Sequence, residues 1–170
     1  MNKVIILGPC GSGKSTYSKL LAETSKLPLF HLDQHFFLPN WQEKPRLEWI
    51  AINKKLVQGN RWIIEGNYGS TMEIRINAAD TIIYLDTSTF TSMWRVIKRT
   101  IRFHGRQRPD CAEGCNERWD VEFLHYVLTF NFVKKPKILN RIKKLRPDLR
   151  IIQLKSQRER DEFLENLIKN

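Results

Sequence analysis

Apolar residues along the chain fall in short unbroken runs, separated by stretches with helical spacing. Lys3–Leu7 is the first run and ends at Gly8-Pro9. Residues 14–25 follow with Tyr17, Leu20, Leu21 and Thr24 at helical spacing. Further apolar runs at residues 28–32, 61–65, Thr81–Leu85 and Arg150–Leu154 read as strands. Between them lie helical patterns. One starts at Pro45 and carries Leu47, Ile50, Ala51 and Lys54 towards Gly59. Others cover residues 88–103 and 119–133. Pro136 opens a shorter helix with Ile138, Leu139, Ile142 and Leu145 on one face, stopped before Pro147. Ser156-Gln157-Arg158-Glu159 fits the capping box of a last helix. Residues 33–41 read as a loop. Residues 104–118, broken by Gly105, Pro109 and Gly114, have no period and read as a loop or lid. Strands that are continuously apolar rather than alternating are buried on both faces. The expectation is a five-stranded parallel sheet with helices on both sides, a three-layer α/β domain over residues 1–170.

Composition narrows the class. The chain has 170 residues, 41% of them hydrophobic, which suits one packed domain and excludes general disorder. No apolar run is long enough to span a bilayer. The N-terminus enters a strand at once with no cleavable signal, so a cytoplasmic protein is expected. Cys10, Cys111 and Cys115 make no disulfide framework, and four ligands at zinc spacing are missing, so no structural zinc is expected. Lys plus Arg number 29 against 18 acids, a net charge of +11, which suits a polyanionic partner.

The chemistry begins at Gly8-Pro9-Cys10-Gly11-Ser12-Gly13-Lys14-Ser15. This segment matches G-x-x-x-x-G-K-[ST] between a strand and a helix. Glycines let the backbone wrap phosphates, and the helix N-terminus adds partial positive charge. Lys14 would reach the β- and γ-phosphates, Ser15 would ligate Mg²⁺, and Thr16 would contact the α-phosphate. ATP with Mg²⁺ is the expected ligand, and the expected fold is that of a P-loop NTPase.

Positive groups and carboxylates complete the picture. Arg95, Arg99, Arg102 and Arg106 fall within roughly a 60° arc of one helix. That row runs into the loop that carries Arg108 and Arg118, as a clamp on a transferring phosphoryl group would require. Asp33, Glu65 and Asp86 sit at strand ends, the edge where α/β sheets bind ligands. Asp33 is placed to accept a proton from an acceptor hydroxyl or to help hold Mg²⁺ through water. Asp86 has a second reading as the cap of the helix starting near Ser88. Phe36, Phe37 and Trp41 either face an acceptor or pack beneath their loop. His31 and His35 read as structural.

These residues carry a resemblance. The P-loop, Glu65-Gly66-Asn67-Tyr68, residues 79–86, the Arg95/Arg99 pair, Arg108-Pro109-Asp110 and Gly114-Cys115-Asn116-Glu117 resemble the adenylate-kinase-related group labelled "DNA topology modulation protein" (FlaR-like). The resemblance spans nearly the whole chain. It implies a nucleoside and nucleotide kinase fold, with an acceptor-binding segment at about 33–60 and a short arginine-bearing lid at about 104–118. By position, Glu65 is similar to the acid that orders Mg²⁺ through water. Arg95 and Arg99 resemble the pair that touches the ATP base and phosphate. Arg108 and Arg118 resemble the lid arginines that close on the phosphates. The Gly-Phe-Pro-Arg of adenylate kinases is here Gly66-Asn67-Tyr68-Gly69, with Arg75 the nearest arginine, which speaks against AMP as acceptor.

Two functions follow. The first is an ATP- and Mg²⁺-dependent kinase acting on a nucleoside, nucleotide or similar small acceptor. It would use Lys14, Asp33, Glu65, Arg99, Arg108 and Arg118 in catalysis, and Gly8 to Thr16 with Arg95 to hold the nucleotide. The second is an ATP-binding, DNA-associated regulator. It rests on Lys134, Lys135, Lys137, Arg141, Lys143, Lys144, Arg146 and Arg150, opposed by Asp148 alone.

Overall fold

The computed structural model describes residues 1–169. Five parallel strands form the sheet: β1 (Lys3–Leu7), β2 (Leu29–His31), β5 (Trp62–Glu65), β6 (Thr81–Leu85) and β7 (Arg150–Leu154), in the order β2-β5-β1-β6-β7. The expected three-layer arrangement is therefore present. Successive residues of the central strand point to opposite faces, and each face has its own core. Ile5 and Leu7 join Trp49, Met72, Ile76 and Ile142 on one side. Val4 and Ile6 join Tyr17, Leu21 and Leu154 on the other. The first layer is built by α3 (Arg46–Leu56), α4 (Met72–Ala78) and the second half of α6 (Val121–Leu145). The second is built by α1 (Lys14–Ser25) and α7 (Gln157–Ile168). The helix α5 (Thr89–Phe103) packs along α6. No helix among the described residues is long and apolar enough to cross a membrane.

Register places the chemistry. Glu65 is paired with both His31 and Ile6, two residues before the P-loop begins at Gly8, so the carboxyl ends of β2, β5 and β1 meet at one edge.

Four local expectations need correction. The second strand stops at His31. Asp33 then lies in a one-turn helix, α2 (Leu32–Phe36), not in a loop, because one turn is too short to leave a periodic signal. A small antiparallel hairpin follows, β3 (Phe37–Leu38) and β4 (Gln42–Glu43), joined by a 3₁₀ turn at Pro39–Trp41. The helix α4 has no counterpart in the sequence reading. Finally, α6 runs through Pro136 without a break. Pro136 and Phe132 are both exposed, so the missing backbone hydrogen bond lies on the outer side of the helix, while Phe130, Ile138 and Ile142 continue the buried face.

Candidate active site

The P-loop is held in shape by groups from three other elements. Gly8, Gly11 and Gly13 all have positive φ. A Cβ at Gly8 would lie 2.5 Å from the Leu85 carbonyl oxygen, and one at Gly11 would collide with the Ser92 carbonyl oxygen. Both positions therefore require glycine. Asn67 clamps Gly8 from the opposite side. Its Nδ2 donates to the Gly8 carbonyl at 2.9 Å, and the Gly8 N–H donates to Asn67 Oδ1 at 3.2 Å. The buried Arg160 of α7 donates to the Ser12 carbonyl at 2.9 Å and to Thr87 Oγ1 at 2.9 Å. Arg95 reaches the same Ser12 carbonyl at 3.4 Å. Lys14 is buried, and its Nζ donates to the carbonyls of Gly8 and Pro9 at 3.1 and 3.0 Å. The α1 N-terminus has no side-chain cap and no acid in its first turn, which leaves its field open to an anion.

Carboxylates surround Ser15. Its hydroxyl donates to Asp110 Oδ2 at 2.8 Å and lies 3.4 Å from Glu65 Oε2. Glu65 is buried and sits 2.9 Å from His31 Nδ1. Asp33 accepts a short 2.6 Å hydrogen bond from the Tyr68 hydroxyl. Burial, and then the neighbouring Glu65 charge, push the Asp33 carboxyl above the ordinary carboxylate range. Asp110 behaves in the opposite way. Burial pushes it up, but the Arg108 guanidinium and the Ser15 hydroxyl together hold it below that range.

The lid is ordered by an internal charge network. Glu117 is buried, accepts from Arg99 Nη2 at 3.0 Å and from Thr100 Oγ1 at 2.9 Å, and lies 2.8 Å from Arg108 Nε. Arg108 in turn faces Asp110 and donates to Cys111 Sγ at 2.6 Å. A cleft of about 530 Å³ opens between α1 and this lid, lined by Ser15, Thr16, Arg99, Arg108 and Asp110 among others.

The lid also docks on the hairpin after α2. Gln34 Nε2 donates to the Pro109 carbonyl at 2.9 Å, the Asn40 N–H to Gly114 at 3.0 Å, and Trp41 Nε1 to Asn116 at 2.7 Å. Cys111 and Cys115 pack with Phe37 and Trp41 as small apolar groups. Phe36 packs edge-on against Trp49 and, tilted, against Tyr68. The aromatics of this segment therefore pack on one another and on the lid.

The remaining candidates lie elsewhere. Asp86 caps nothing. Ser88 is the cap of α5, accepting from the Thr91 N–H at 3.2 Å, and Asp86 binds Lys135 Nζ at 2.7 Å. Thr16 is exposed at the cleft edge, Cys10 is half-buried in the P-loop, and Arg102 is exposed over the Phe103 ring. Arg118 is exposed at the end of the lid, apart from the Arg99–Glu117–Arg108 network. Arg75 is fully buried and donates to the carbonyls of Gly66, Asn67 and Tyr68 at 2.7, 3.0 and 2.8 Å, holding the turn after Glu65. Of the basic stretch 134–150, Lys135, Arg141 and Arg146 are paired with Asp86, Glu73 and Asp148. Asp110, Asn67, Glu117 and Arg160 are contacts of this cleft that the sequence alone does not single out. Asp110 has a visible signal, an acid between two lid arginines. Arg160 has none, since it lies 148 positions from its partner Ser12.

No family model matches the chain, and no curated protein matches it. Solved structures do. Shikimate kinase from Acinetobacter baumannii in complex with shikimate is similar over 99% of this chain and 92% of that one, at 14% identity and a TM-score of 0.63. Deoxyadenosine kinase from M. mycoides with bound dATP matches over 98% of this chain and 99% of that one, at 14% identity and a TM-score of 0.55. A gluconokinase from Sinorhizobium meliloti matches over 99% and 94%, at 16% identity and a TM-score of 0.51. Their shared ground with this chain is the fold: a five-stranded parallel sheet flanked by helices, as in P-loop kinases.

Proposed function

We propose that this chain is an ATP- and Mg²⁺-dependent phosphotransferase that moves the γ-phosphoryl group to the hydroxyl of a small acceptor of the nucleoside or nucleoside-like class. The observation that carries this reading is the position of Asp33. It is a half-buried carboxylate with a raised pKa, bound by Tyr68 and near both Glu65 and Lys14, at the edge where the P-loop lies. A P-loop alone would serve a switch equally well. A poised base beside it serves transfer to a hydroxyl.

The residues present suit the nucleotide and its metal. The glycine backbone and the open α1 N-terminus would hold phosphate, and Lys14 Nζ, which rests on the Gly8 and Pro9 carbonyls, would supply its positive charge there. Ser15, Glu65 and Asp110 offer oxygen donors alone, as a hard cation prefers. Among the described residues no group of three His, Cys, Asp or Glu forms a metal cage. Mg²⁺ is usually held by one or two carboxylates together with phosphates and water, so this donor set fits it. When bound, the nucleotide supplies the phosphoryl group and Mg²⁺ offsets phosphate charge.

The other steps belong to the chain. Asp33 takes the proton of the acceptor hydroxyl. Arg99 and Arg108, oriented by Glu117, stabilise charge on the transferring group. The lid and the acceptor segment are joined at Gln34–Pro109, Asn40–Gly114 and Trp41–Asn116, so seating the acceptor and closing over the phosphates form one movement that excludes water. Arg75 is committed to backbone carbonyls and is not free to hold an acceptor phosphate, which favours a hydroxyl acceptor over a nucleotide one. The resemblance to the "DNA topology modulation" group supports the kinase-like reading through the same P-loop and lid motifs. The DNA-associated reading falls behind, because three of the eight cations in residues 134–150 are paired within the chain.

ADP release measured across a panel of nucleosides, nucleotides and small polyols tests the proposal. Turnover that depends on the acceptor and is abolished in Lys14→Ala supports it. ADP release that no acceptor stimulates, or that survives Lys14→Ala, overturns it.

A further inference from the structure

The outward side of the α5–α6 pair is apolar. On α5, Phe90, Trp94, Ile97 and Ile101 recur at i, i+4, i+7 and i+11, and so share one face. Phe90, Trp94 and Ile101 are 83%, 61% and 65% exposed. On α6, Val121, Leu128 and Phe132 recur at i, i+7 and i+11. Val121 and Phe132 are 81% and 78% exposed. The two helices run in opposite directions. Asn131 binds Thr89 at the start of α5, whereas Arg99, late in α5, lies over Phe123, early in α6. Both stripes lie beside the line where the helices meet. They point away from the buried rows Ser92–Val96–Thr100 and Val127–Phe130. Phe90 and Trp94 therefore face the side of Phe132 and Leu128, and Ile101 faces that of Val121, giving one continuous patch.

We propose that this patch is the interface with a second copy of the same chain. At about 200 Å² per aromatic side chain, Phe90, Trp94 and Phe132 alone expose on the order of 450 Å². That already equals the largest apolar patch of a typical monomer, roughly 300–600 Å². Ile101, Val121 and Leu128 extend it towards the ~800 Å² per partner of a stable dimer. An antiparallel helix pair with two adjacent stripes is self-complementary about a two-fold axis, and two such pairs make a four-helix packing.

The rim charges fit that pairing. Lys98 and Arg102 lie exposed beyond the α5 stripe, and Glu122 lies exposed beyond the α6 stripe. Laying α5 of one copy across α6 of the other brings the cations of each towards the carboxylate of its mate. A lipid surface would favour cations all around the rim, and Glu122 opposes that. The inner row of the same helix supports the P-loop, with the Ser92 carbonyl and Val96 packed against Gly11, so the second copy would brace that contact from outside.

Sedimentation equilibrium of the full chain at micromolar concentration tests this. The expected result is a particle of twice the chain mass that dissociates on dilution. Phe90→Glu combined with Phe132→Glu should leave a monomer with unchanged far-UV circular dichroism. Trp94→Lys alone should weaken the dimer at least tenfold and serves if the double variant does not fold. Leu47→Glu, a comparably exposed apolar position on α3, should stay dimeric. A monomeric wild-type chain overturns the proposal, whether or not it floats with anionic phosphatidylserine vesicles. So does a double variant or a Trp94→Lys variant that dimerises as tightly as the wild type.

Discussion

Ser15 and Asp110 meet across the cleft: the P-loop hydroxyl donates to the lid carboxylate at 2.8 Å, although 95 positions separate them in the chain. Asp110 is also paired with Arg108, so one carboxylate ties the P-loop serine to a lid arginine. Asp110→Asn should raise the KM for MgATP and lower kcat, together by about 10–100-fold, the range for groups that orient a metal ligand. Steady-state kinetics at varied Mg²⁺ checks this. A variant with wild-type constants would show that the contact only orders the lid.

The raised pKa of Asp33 sets a pH dependence for both stability and activity. The folded state keeps the proton at pH values where the unfolded chain has released it. Stability from this group therefore falls as pH rises from the ordinary aspartate value through the raised one. Activity has the opposite sign, because a proton-accepting Asp33 must be ionised. The acid limb of kcat/KM should lie above the usual carboxylate range. Tyr68→Phe removes a hydrogen bond that favours the ionised form, so the limb should move to higher pH. A pH–rate profile of the two proteins decides it.

Asn67 holds Gly8 through both halves of its amide. Asn67→Ala leaves a part-buried N–H and carbonyl less satisfied and should cost about 1–3 kcal/mol. It should also weaken nucleotide binding, since Gly8 opens the phosphate loop. Chemical denaturation and titration with a fluorescent ATP analogue measure the two effects separately.

Arg75 is a test of role. Burial lowers its pKa to about 9, which still leaves it charged at neutral pH, and its donors are held by three carbonyls. Arg75→Met should destabilise the fold by about 3–5 kcal/mol, as when one partner of a buried charged network is lost. Protein that still folds at low temperature should keep its acceptor KM. A stable variant with a much higher acceptor KM would mean that Arg75 touches the acceptor.

The layers of this fold were readable because buried parallel strands leave unbroken apolar runs, and β1, β6 and β7 have the expected bounds. The P-loop was readable because its glycines answer a local steric demand, visible at Gly8 and Gly11. What escaped depends on distance along the chain or on short length. Asp33 sits in a single helical turn, and α4 has only seven residues. Pro136 looked like a boundary because sequence shows the missing donor, whereas only the structure shows that Phe132 faces water. Arg108 and Arg99 stood out as cations, but Glu117, which joins them, carried no local sign of its role. Asp86 matched the composition of a cap, and Ser88 two residues later took that place.

Transfer of radiolabel from [γ-³²P]ATP to an acceptor, compared between the wild-type chain and Asp33→Asn, tests the central claim most directly. The wild-type chain should place the label on the acceptor hydroxyl. Asp33→Asn should bind ATP equally well and transfer the label about 10²–10⁴-fold more slowly, the usual contribution of a general base. Label found only in inorganic phosphate, or equal transfer by the two proteins, would contradict it.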